Sequence, residues 1–102
     1  MNKKYLKAKI YCIKNINNPE MIYIGSTTEP LNVRFSKHKH DCKFYNKRTS
    51  LYKHITNNDW TDWEMNLLKD YPCDNKRELE REESRTILSY DKVLNKKKYC
   101  HM

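Results

Sequence analysis

Apolar and polar residues fall into short runs whose spacing changes along the chain, and the changes mark its elements. Residues 5 to 13, Tyr-Leu-Lys-Ala-Lys-Ile-Tyr-Cys-Ile, carry β-branched and aromatic residues in partial alternation, which predicts a strand. Turn formers follow in Asn15-Ile16-Asn17-Asn18-Pro19, and Met21-Ile22-Tyr23-Ile24 resumes as a second strand that stops at Gly25, the only glycine. Antiparallel pairing of the two makes a hairpin and brings Tyr11 and Tyr23 onto neighbouring ground. Ser26-Thr27-Thr28 offers N-cap hydroxyls and Pro30 suits a first helical turn, predicting a helix from about 29 to 41 with Arg34 and His38 on one face.

A second, short helix is expected from 50 to about 57, with Leu51, Ile55 and His54 as candidate inward positions, ended by Asn57-Asn58-Asp59. Residues 63 to 71 contain Met65, Leu67 and Leu68 and read as a third strand completing a small sheet, with a helix as the alternative. Pro72-Cys73-Asp74-Asn75 breaks the chain and caps a helix from about 76 to 90. On that helix Leu79, Glu83 and Ile87 fall at i, i+4 and i+8, so one carboxylate interrupts an apolar ridge. The tail from 91 onward returns through Val93, Leu94 and Asn95 into a lysine run, and no repeat, linker or second domain interrupts the pattern.

A chain of 102 residues holds one modest core, burying about two thirds of its unfolded surface. Twenty-one Lys and Arg against thirteen Asp and Glu leave a net charge of +8, which favours a polyanionic partner. A Lys-, Asn-, Ile- and Tyr-rich composition also fits an AT-biased genome, so charge alone does not decide the matter. The cysteines at 12, 42, 73 and 100 form no Cys-x-x-Cys pair, which argues against a disulfide framework and for a reducing, intracellular setting. His38-x-His40-x-Cys42 and Cys100-His101 hold zinc-type ligands but match no finger or knuckle spacing. No apolar run approaches the roughly 18 residues of a membrane span, and the start of the chain does not read as a signal peptide.

The motifs together resemble the GIY-YIG nuclease family. The resemblance runs from Ile10 to Asn95 and rests on Ile10-Tyr11, on Tyr23-Ile24-Gly25-Ser26-Thr27-Thr28, and on Arg34 eleven residues after Tyr23 with His38 four further on. It continues in Leu79-x-x-x-Glu83-x-x-x-Ile87 and Leu94-Asn95. Lys9 stands where the first motif has glycine. The resemblance implies an α+β fold, a small three-stranded antiparallel sheet flanked by helices, with the active site on one sheet face and a single divalent cation, Mg2+ or Mn2+, held mainly by Glu83. Glu80 and Glu82 are its neighbours and are expected to be solvated helix charges.

By the same resemblance Arg34 clamps the scissile phosphate, a task suited to a planar donor fork. Tyr11 acts as general base toward water or orients it, and Tyr23 supports water and phosphate by hydrogen bonding. A free phenol has a pKa near 10, leaving about one in a thousand ionised at pH 7, so Arg34, the cation and a hydrogen bond to His38 are expected to lower it or relay the proton. Asn95 holds the end of the active-site helix or a phosphate.

Lys37, Lys39, Lys43, Lys47, Arg48 and Lys53, with the terminal Lys96, Lys97 and Lys98, are candidates for sequence-independent phosphate contacts. The expected partner is DNA, in duplex form. With no appended reading motif, any sequence choice must come from loops, a homodimer or an accessory specificity subunit. Two other readings share these residues: a catalytically inactive nucleic-acid-binding module, supported by Lys9, and a basic domain that docks an acidic protein.

Overall fold

The structure, a computed structural model, describes residues 3–44 and 50–95. Three strands, β1 (Lys9–Asn15), β2 (Ile22–Thr27) and β3 (Trp63–Asp70), form one antiparallel sheet in the order β2-β1-β3. Helix α1 (Leu31–Phe44) follows β2, and helix α2 (Lys76–Ser89) follows β3. This is the α+β arrangement expected, and the helices cover opposite faces of the sheet.

The central strand explains why its alternation is only partial. Ile10, Tyr11, Cys12 and Ile13 are all buried, because both faces of β1 are covered. Ile10 and Cys12 pack with Ile24, Leu79 and Ile87 beneath α2. Tyr11 and Ile13 pack with Leu51, Ile55, Trp60 and Trp63 on the other face, where Leu31, Phe35 and Cys42 of α1 join them. Those α1 residues and His38 follow i, i+4, i+7 and i+11, so the imidazole occupies a place in the apolar stripe and is 3% exposed.

Several local boundaries differ from expectation for identifiable reasons. Residues 3 to 7 form a 3-10 turn, and the strand predicted from residue 5 begins at Lys9. The second strand does not stop at Gly25 but continues to Thr27, because Gly25 pairs with Tyr11 and Ser26 with Ile10. Helix α1 starts two residues later than predicted and runs to Phe44, while Thr27 Oγ1 accepts the Glu29 N–H ahead of it. The helix predicted over 50–57 is instead two 3-10 turns, Tyr52–His54 and Thr56–Asn58, separated by extended Ile55, and the second turn is distorted where Asn57 and Asn58 take positive φ of 54° and 57°. Leu51 and Ile55 point inward as expected, and His54 is exposed.

The hairpin is tied by Asn15, whose Oδ1 accepts the N–H groups of Asn17 (2.9 Å) and Asn18 (3.0 Å). Asn75 caps α2 by accepting the Glu78 N–H at 3.0 Å. The free edge of β2 is closed by the returning tail: Leu94 N donates to Ile22 O at 2.7 Å. Asn95 then engages Ile24 through Oδ1 and Nδ2, each at 2.8 Å. An exposed edge is thereby covered by the tail.

Candidate active site

Gly25 is required by closeness rather than by φ. A Cβ there would overlap Cζ and Oη of Tyr11 on the adjacent strand, so the glycine lets the phenol lie flat across β2. Two residues away on the same face, Tyr23 places its ring 6.0 Å from that of His38, nearly perpendicular to it. Tyr11 Oη is 2.7 Å from His38 Nε2, and Tyr52 Oη is 2.8 Å from His38 Nδ1. A histidine from α1 is thus held edge-on among three tyrosines drawn from β1, β2 and the 3-10 turn Tyr52–His54.

Arg34 lies one turn before His38, and its positive charge acts on both Tyr11 and His38. The last member comes from the other side of the sheet. Ser26 points away from Gly25 toward α2, and its hydroxyl donates to Glu83 Oε1. Arg34 and Glu83 line one cleft of about 480 Å³ with Ser26, Thr27, Lys4 and Lys76. Glu83 acts electrostatically on both Tyr11 and Tyr23.

Burial governs the protonation of this group. It lowers His38 to about 4, with Arg34 adding to the effect and Asp41 opposing it, so the imidazole is neutral at pH 7. It raises Tyr11 well above the ordinary phenol value, more than Arg34 lowers it. Arg34 acts in the expected direction, but the loss of water on burial outweighs one guanidinium. Burial likewise raises Tyr23, raises Tyr52 to about 12, and raises Glu83 against the opposing hydrogen bond from Ser26.

The sequence-predicted residues therefore divide. Tyr11 and Tyr23 pack against His38, and Arg34, one turn away on α1, shares a cleft with Glu83. Asn95 is not at the end of α2; both polar atoms of its amide are engaged by the Ile24 backbone, which makes it a support for β2. Glu82, expected to be solvated, is 5% exposed and ion-paired with Lys69 on β3. Lys37 pairs with Glu29 at 2.6 Å, Lys39 lies over the Phe35 ring, and Lys43 over that of Phe44. Lys53 is exposed. Lys47, Arg48, Lys96, Lys97 and Lys98 lie outside the described residues, as do Cys100 and His101.

Four residues escaped the sequence reading. Ser26 was assigned to helix capping, although strand alternation sets it opposite Gly25. Lys76 shares a face with Glu80 and Glu83, a spacing visible in the helix period. Tyr52 and Lys4 reach the site only through long-range folding and left no local signal.

The donor set suits a hard cation held weakly. Glu83 keeps Oε2 free of the Ser26 contact, and among the described residues no group of three His, Cys, Asp or Glu is assembled into a closed metal centre. A single carboxylate in a cleft leaves most coordination positions to water and substrate oxygens, as Mg2+ prefers.

The chain matches the GIY-YIG catalytic domain over residues 7–99 and belongs to that nuclease family. No curated protein and no solved structure matches it. Among the described residues no helix is long and apolar enough to cross a membrane.

Proposed function

We propose that this chain is a divalent-metal-dependent endonuclease that hydrolyses phosphodiester bonds of double-stranded DNA. The observation that carries the reading is that Arg34 and Glu83, from α1 and α2, line one cleft rimmed by lysines, while Tyr11 and Tyr23 of the hairpin pack against His38 one turn along α1 from Arg34. Arg34 donates to the non-bridging oxygens of the scissile phosphate and opposes the charge that grows there. Tyr11 accepts a proton from the attacking water or orients it, and Tyr23 steadies water and phosphate. Glu83, oriented by Ser26, would hold Mg2+ or Mn2+, which would supply Lewis-acid polarisation of the phosphate. Asn95 keeps β2, and so Tyr23 and Ser26, in place.

Lys9 is the best support for an inactive binding module, yet its ammonium is tied to the Glu29 carbonyl at 3.0 Å and does not line the cleft. The substitution for glycine therefore leaves the reacting groups unobstructed. Supercoiled plasmid incubated with Mg2+ or Mn2+ tests the reading. Wild type is expected to nick it, while Glu83→Ala and Tyr11→Phe lose roughly a hundredfold or more in rate. Glu83→Ala is expected to bind DNA as well as wild type or better, since it removes a negative charge from a basic cleft. A wild-type protein that binds DNA without nicking it would leave only the binding module.

A further inference from the structure

The buried imidazole has a second partner that the reaction above does not use. His38 Nε2 meets Tyr11 Oη at 2.7 Å and His38 Nδ1 meets Tyr52 Oη at 2.8 Å, so one neutral ring bridges two phenols. A neutral imidazole has one N–H and one lone pair, so one phenol must accept from it and the other must donate to it.

The choice between the two arrangements follows from Arg34. Its positive charge is the strongest acting on Tyr11 and favours that phenol as the donor, whereas Asp41 is the strongest charge acting on Tyr52 and favours that phenol as the acceptor. An Nε2–H directed at Tyr11 would set a donor against the phenol that Arg34 biases toward donating. If Tyr11 instead donates to Nε2, both ring nitrogens are satisfied, Nε2 by Tyr11 and Nδ1–H by Tyr52. The lone pairs of Tyr11 are then left for an incoming water.

We propose that Tyr52 is a positioning residue for catalysis: it holds His38 in the Nδ1–H tautomer and passes on the proton that Tyr11 takes from the attacking water. The proposal rests on the endonuclease reading and extends it past Tyr11. The water O–H breaks as its oxygen bonds to phosphorus, and the proton joins Tyr11. The Tyr11 proton moves to Nε2, the Nδ1 proton moves to Tyr52, and the original Tyr52 proton leaves for bulk water. The deoxyribose oxygen departs with the electron pair of the broken P–O bond and takes a proton from solvent. No residue of the relay ends with a charge, and the reverse tautomer shift resets His38.

The surroundings favour such a neutral route. Burial disfavours both a Tyr11 phenolate and a His38 imidazolium, the two ions a shorter transfer would leave behind. Among the described residues, the charged and titratable groups around the imidazole are Arg34 and Asp41 on its own helix, Tyr11 on β1, Tyr23 on β2 and Tyr52 on the turn Tyr52–His54. Asp41 and Cys42 also act on Tyr52, which is half-buried and so nearer to solvent than His38.

Tyr52→Phe deletes one oxygen and keeps the ring. Long-range 1H–15N NMR of His38 in wild type is expected to report protonated Nδ1, and in the variant a shift of population toward Nε2–H, with the backbone spectrum confirming the fold. Plasmid nicking by the variant is expected to lose roughly tenfold to a hundredfold in kcat with KM unchanged. Wild-type nicking in H2O–D2O mixtures is expected to give a curved proton inventory, from more than one proton in flight. Protonated Nε2 in wild type, an unaltered kcat in Tyr52→Phe, or a linear inventory would each overturn the relay. A wild type that shows the Nδ1 tautomer but never nicks DNA overturns the endonuclease reading and leaves tautomer control by Tyr52 standing.

Discussion

His38 illustrates how much a single buried group can say about pH. Its folded pKa of about 4 lies below the ordinary 6.5, so between those values the unfolded chain binds a proton that the folded protein refuses. Stability due to this residue is therefore complete above about pH 6.5 and falls as the solution is acidified toward pH 4, by roughly 3 kcal/mol in total. His38→Gln lacks this titration. Urea denaturation at a series of pH values is expected to show the wild-type advantage over the variant shrinking by about that amount across the window; a constant gap would mean that the imidazole is freely protonated in the fold. The burial behind this effect was partly legible, since His38 continues the Leu31, Phe35 and Cys42 stripe. Its two phenolic partners were not equally so. Tyr11 belongs to a motif, whereas Tyr52 is one of eight tyrosines and becomes special only when a 3-10 turn carries it beside α1.

At the level of elements, α2 divides its labour around the Leu79–Ile87 ridge. That ridge covers Ile10 and Cys12 of the central strand, and two adjacent glutamates leave it in opposite directions. Glu83 reaches β2 at Ser26, and Glu82 reaches β3 at Lys69. Spacing at i+4 made Glu83 visible, but i+3 from Leu79 gives Glu82 nearly the same claim to burial. What assigns each its role is the strand order β2-β1-β3, which no helical period contains. The edge on the Glu83 side depends on a side chain from the tail. Asn95→Ala removes both partners of Ile24 at once, exposing an N–H and a carbonyl in a partly buried place, and is expected to cost about 1–3 kcal/mol. Hydrogen exchange of the Ile24 amide is expected to accelerate in the variant beyond the global loss measured by urea. Exchange no faster than that global loss would mean the edge of β2 holds without Asn95.

For the whole molecule, the net charge of +8 overstates how many cations are available to a phosphate backbone. Lys37 is neutralised by Glu29, Lys69 by Glu82, and Lys14 sits 3.8 Å from Glu64 at the hairpin end of the sheet. Composition could not reveal this, because each pairing joins residues from different parts of the fold or different turns of a helix. The lysines that rim the candidate cleft are a smaller set, and Lys76 stands on the helix that carries Glu83. A phosphate contact there releases a counterion, which gives each such lysine about one unit in the slope of log affinity against log salt. Duplex binding followed by fluorescence anisotropy from about 50 to 200 mM salt, without divalent metal, is expected to show Lys76→Ala with a slope shallower by about one. Lys14→Ala, remote from the cleft and paired with Glu64, is expected to keep the wild-type slope. If the two variants behave alike, the charge acts as a diffuse field over the surface, and the DNA path does not run along the cleft where Arg34 and Glu83 meet.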